Sequence, residues 1–141
     1  MIIDTFASSM VAAVTDTIKY ISDQDDLITI RKKVRKMYSY ILIFVTASSQ
    51  DEAEKMGHTL VQERYVACAN SIPDIRSIYH WKKELCKDQE VLLLLKSRRD
   101  LFPKIQKRIK ELHSYDVPEI IAIPIIEGSE DYLKWIDDSL M

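Results

Sequence analysis

Three stretches decide what this chain can become: Ile41 to Val45, Val91 to Leu95 and Ile120 to Ile126 are apolar at odd and even positions alike. A strand points successive side chains to opposite faces, so each run predicts a strand hidden on both. After the first, Ser49 and Glu52 have the spacing of a capping box, and Ala53, Met56, Gly57, Leu60 and Val61 form the apolar stripe of a helix running to about Tyr65. Val66 to Asn70 and Arg76 to Trp81 are extended by composition, with a bend at Ile72, Pro73 and Asp74 between them. Asp100 is placed to cap a second helix whose stripe is Leu101, Phe102, Ile105, Ile109 and Leu112, with Pro103 tolerated in the first turn. Gly128 to Asp131 stop the third apolar strand and open a last short helix. The resulting order is β-α-β-β-α-β-α, and its first six elements are the ferredoxin-like α+β pattern.

That fold carries both helices on one face of its sheet. The other face would expose the apolar side chains of all three strands, more than the few hundred Å² of contiguous apolar surface a monomer tolerates. Two covers are open: copies of the chain packed sheet to sheet, or an amphipathic N-terminal helix folded back. The first is favoured, because one short helix is narrow beside a four-stranded sheet. Residues 1–37 read as a helical extension preceding a domain of residues 38–141. Phe6, Met10, Val11, Val14, Ile18 and Ile21 recur at helical spacing, and Arg31 Lys32 Lys33 with Arg35 Lys36 form a basic run, most simply a solvated helix face.

The polar stretch His113 Ser114 Tyr115 Asp116 Val117 Pro118 Glu119 lies between the second helix and the third apolar strand. Pro118 restrains Val117 from helical angles, so the helix is expected to end near His113. Imidazole, phenol and carboxylates then gather at a strand end, as a binding site or a satisfied corner. A net charge of −2 argues for neither general nucleic-acid nor membrane attraction. Two cysteines, Cys68 and Cys86, make no disulfide framework. With a hairpin turn near Glu84, Cys86 is expected opposite Trp81 and Cys68 far away. Reduced thiols and a cytoplasmic setting follow as expectations. No apolar run approaches the length of a membrane span.

Taken together, Ala67 Cys68 Ala69 Asn70, then Ser77 Ile78 Tyr79 His80 Trp81, then Glu90 to Lys96, and finally His113 to Ile120 resemble the CutA family of divalent-cation tolerance proteins over residues 38–140. The resemblance implies a ferredoxin-like protomer in a tight homotrimer, its sheets joined edge to edge as in the trimeric signalling protein PII. It further implies a role in metal homeostasis or signalling linked to divalent metals, above all copper, with no established catalytic reaction. In animals it implies an association with acetylcholinesterase anchoring. The family's polar cluster falls on Cys68, Tyr79, Trp81, Glu90, Lys96, His113, Tyr115 and Glu119. Asp74 and Lys83 stand where many members have Gly, and Ser114 replaces a Pro. Lys83 at positive φ would be strained, which leaves the hairpin tip open.

Thiolate and imidazole suit copper, so Cys68 and His113 are the candidate metal pair. Their spacing is no metal motif, and a site so poor in soft ligands needs completion by carboxylates or a neighbouring copy. Cys68 between two alanines is more often a small buried hydrophobe. Tyr79 and Trp81 share one side of their strand, and with Glu90, Lys96, Tyr115 and Glu119 they are candidates for a ligand cleft or an interface. Glu119 could orient His113, and Lys96 wants a carboxylate such as Glu90 or Glu119. No nucleophile with base and orienting group is visible, so an enzyme is the weakest reading. An RNA-recognition module is rejected, because Val91 to Leu95 offers no aromatic for a base to stack on. The alternative to a divalent-cation binder is a scaffolding trimer that docks a protein partner through residues 1–37.

Overall fold

The computed structural model describes residues 27–32 and 39–141. Two compact units divide the chain between Met37 and Tyr38. In the first, residues 27–32 are helical. The amphipathic stretch from Phe6 to Ile21 lies outside the described residues.

The second unit runs β1 (Tyr40–Ala47), α1 (Gln50–Gln62), β2 (Cys68–Trp81), β3 (Glu84–Arg98), a 3-10 turn (Arg99–Leu101), α2 (Phe102–Leu112), β4 (Ile121–Pro124) and α3 (Glu130–Ser139). These elements form a four-stranded sheet in the order β2-β3-β1-β4, every neighbour antiparallel, as the α+β reading requires. The alternation of β1 is clean: Ile41, Ile43, Val45 and Ala47 are buried while Tyr40, Leu42, Phe44 and Thr46 are only partly covered. Val91, Leu93 and Leu95 of β3 meet α1 through Ala53, Met56 and Leu60, and α2 through Ile105 and Ile109. Gly57 lets α1 approach β2, since a Cβ there would stand 2.9 Å from that of Ala69. Buried Ser97 donates to the Tyr65 carbonyl at 2.6 Å, which satisfies its hydroxyl.

Among residues 39–141, no helix lies on the opposite face. Ile72, Ile121 and Ile123 remain 45%, 54% and 48% exposed, and β4 is exposed throughout, so residues 39–141 of one chain do not themselves supply the cover expected for this face.

β2 and β3 extend past the sheet as a two-stranded arm. A bulge lies between Ile72 and Ile75, where Pro73 cannot donate and Asp74 sits at φ 62°, accepting from Gln89 Nε2 at 2.5 Å. The arm closes on a two-residue turn with Lys82 at φ 48° and Lys83 at φ 70°. Positive φ at both positions is the hairpin geometry whose twist matches the flanking strands. It corrects the expected register: Cys86 lies opposite Tyr79, and Trp81 opposite Glu84. Asp100 does not cap α2 either, because Arg98 holds its carboxylate at 3.1 and 3.3 Å. The last helix is clamped by Arg64, which donates to the carbonyls of Ser139 (3.1 Å) and Asp138 (2.8 Å).

Candidate ligand cleft

The polar stretch after α2 is fastened before it reaches the cleft. Ser49 caps α1, its Oγ accepting from the Glu52 N–H at 3.2 Å, which is half of the expected box. The Glu52 carboxylate turns elsewhere: it accepts from the Ser48 N–H (2.8 Å), the Ser48 hydroxyl (2.7 Å) and the Ser114 N–H (2.6 Å). Burial alone would raise its pKa, but the hydrogen bonds from Ser48 and Ser114 outweigh that and hold it down to about 2. α2 ends at Leu112 with His113 as its cap, where Pro118 predicts. The His113 side chain is fully buried. The Tyr115 N–H donates to Nδ1 at 3.0 Å, so Nε2 carries the proton and donates to the Thr46 carbonyl at 2.7 Å. Glu52, 3.7 Å from Nδ1, stands beside the ring in the place expected of Glu119.

Past this corner, Tyr115 reaches over the sheet and donates to Glu90 Oε1 at 2.8 Å. Glu90 is a carboxylate only 5% exposed. Burial first, and then the hydrogen bond to Glu90, keep the Tyr115 phenol far above its ordinary range. On the arm, Tyr79 donates to Asp88, and that bond raises its phenol to about 12. The register places Tyr79, Trp81, Asp88 and Glu90 on one face of the arm. Between this face and the segment from Ser114 to Glu119 opens a cleft of about 700 Å³, lined by Tyr79, Trp81, Glu90, Tyr115 and Glu119 among others. Five of the eight residues singled out in the sequence thus meet in one place. Among the described residues, no Lys, Arg or His lines it.

The other three lie apart. His113 sits behind the cleft with both ring nitrogens engaged. Cys68 pairs across the strands with Lys96, whose Nζ lies 3.7 Å from Sγ and 2.5 Å from Asn70 Oδ1. Lys96 therefore finds an amide and a thiol where a carboxylate was expected. Thr46 lies opposite Leu92 and Cys68 opposite Lys96, a separation of about 13 Å along β3. Within one chain Cys68 and His113 do not converge on a cation, and among the described residues no three His, Cys, Asp or Glu side chains are grouped to hold one. Glu52 and the Thr46 carbonyl were missed by sequence reasoning. Glu52 was visible only as a helix cap, and nothing local announces that it reaches residues 113 and 114.

Residues 41–139 match the family described as CutA1 divalent ion tolerance protein. The divalent-cation tolerance protein CutA of Thermus thermophilus is 44% identical over 98 residues, 70% of this chain and 95% of that protein. A chloroplastic protein CutA of Arabidopsis thaliana is 38% identical over 99 residues, covering 70% of this chain and 54% of that one. The solved Thermus thermophilus divalent cation tolerance protein superposes with a TM-score of 0.71 at 42% identity, over 72% of this chain and 99% of that one.

Proposed function

The chain belongs to the CutA1 divalent ion tolerance family, and on that footing we propose that it is a non-enzymatic, homotrimeric protein of divalent-cation homeostasis or signalling. Its ligand, a divalent cation or a small molecule, occupies the cleft between the arm and the segment from Ser114 to Glu119, at a boundary between subunits. The observation that carries this reading is the unfinished sheet: Ile72, Ile121 and Ile123 lie about half exposed on the face away from the helices. Apolar surface of that extent calls for copies of the chain to cover it. Copies packed there would bring their arms and clefts side by side.

Copper suits the Cys68 thiol, but the donors of one chain do not converge, so the cation draws donors from more than one copy. His113 serves as the corner that fixes the cleft wall, since a ring with both nitrogens hydrogen-bonded has no lone pair to give. Calorimetric titration of the full chain with Cu²⁺ tests the reading. Binding is expected in the assembled protein, weakened by Cys68→Ser, and lost when Ile121→Asp with Ile123→Asp separates the copies. Undiminished binding by the separated chain would overturn it.

A further inference from the structure

The arm sorts its charges by face. Beyond the bulge, Glu84, Asp88 and Glu90 share the face that carries Tyr79 and Trp81, whereas Arg76, His80 and Lys87 fall on the other. Across the cleft, Asp116 and Glu119 add further carboxylates, and among the described residues no basic side chain lines the space. Glu90 is buried and has one hydrogen bond, from Tyr115, with no cationic partner among the described residues. A buried carboxylate without a counter-charge is costly, and a ligand that supplied one would relieve that cost.

The hydrogen-bond inventory points the same way. Tyr115 and Tyr79 spend their hydroxyl protons on Glu90 and Asp88, so both phenols offer the cleft only lone pairs. Carboxylates and phenol oxygens together make an acceptor-rich wall that repels phosphate or carboxylate ligands. The rings of Tyr79, Trp81 and Tyr115 line the same space, and aromatic faces attract cations. A space of about 700 Å³ is also far larger than a bare ion, and its carboxylates are too dispersed for three to chelate one.

We propose that this cleft takes an organic cation, an ammonium or guanidinium group carried on an apolar or aromatic body. The charge goes to Glu90 and the body to the aromatic wall. This rests on the reading that the cleft is the ligand site, and it names the chemical class that site selects.

Three near-isosteric probes separate charge from shape: 2-phenylethylammonium, 2-phenylethanol and 3-phenylpropionate, titrated calorimetrically into the full chain at neutral pH. The ammonium is expected to bind at least roughly tenfold tighter than the alcohol, and the carboxylate weakest. Glu90→Gln is expected to lose about tenfold or more for the ammonium and to leave the alcohol unchanged, while Trp81→Leu weakens both. Equal binding of the three, preference for the carboxylate, no binding of any, or an ammonium indifferent to Glu90→Gln would overturn the proposal. Each titrated sample is also weighed in solution. A parent chain that binds the ammonium as a monomer supports the ligand class and refutes the intersubunit placement, whereas a trimer that prefers the carboxylate does the reverse.

Discussion

The two faces of one sheet differ as a finished core differs from half of one. On the helix side, Ile43, Val45, Leu60, Leu95, Ile105 and Ile109 are fully buried, and Ser97 has its hydrogen bond. On the other side, Leu42, Phe44, Leu92 and Leu94 are partly covered, Ile72, Ile121 and Ile123 stand about half in water, and the buried Glu90 carboxylate has no counter-charge among the described residues. Both faces come from the same apolar runs. What separates them is the connections: each crossover places its helix on one side, and of residues 39–141 only the segment from Ser114 to Glu119 reaches the other, at its Glu90 end. A sequence that writes apolar residues for both faces while the topology of residues 39–141 covers one leaves the second to a cover from outside those residues.

Substitution breaks the two faces in different currencies. Leu95→Ala on the helix side should cost about 2–5 kcal/mol in denaturant unfolding through the cavity it leaves, whereas Ile121→Asp with Ile123→Asp should act mainly on the mass in solution. Equal loss of fold stability from both would erase the contrast. Next in size is the corner behind the cleft. The Glu52 carboxyl is held near 2 against an ordinary 4.5, and with solvent screening of a partly covered group it contributes about 1–2 kcal/mol at neutral pH. A depressed carboxylate stabilises above its unfolded value, so this contribution is whole above about pH 4.5 and drains as pH falls towards about 2. Glu52→Gln should remove that part of the acid unfolding profile; an unchanged profile would show that the Ser48 and Ser114 bonds do not hold the charge. Tyr115→Phe takes from the Glu90 carboxylate its one donor among the described residues and should cost about 1–3 kcal/mol, read from thermal unfolding. The smallest effect lies at the arm's tip. Lys83→Gly relieves a side chain at positive φ and should stabilise by up to about 1 kcal/mol, and destabilisation would contradict the turn geometry.

Much of this was legible in local pattern. The odd-and-even apolar runs gave the strands and the demand for a second cover, Pro118 ended α2 at His113, and alternation put Tyr79 and Trp81 on one side. Glu90, Tyr115 and Glu119 were found with them through the resemblance, and the fold then brought all five to one cleft. What failed was long-range partnership. Glu52 replaced Glu119 beside His113, Asn70 and Cys68 replaced the carboxylate expected for Lys96, and Arg98 took Asp100 away from its cap, because such choices depend on register and crossover rather than on spacing. The hairpin register slipped because a turn of two lysines carries no Asn-Gly or Asp-Gly signal.

The contrast between the faces comes down to one number, the mass of the full chain in solution measured by light scattering after size exclusion. The account predicts three times the 16.4 kDa chain, falling to one chain when Ile121 and Ile123 become aspartate. A parent protein that weighs 16.4 kDa at micromolar concentration would contradict it.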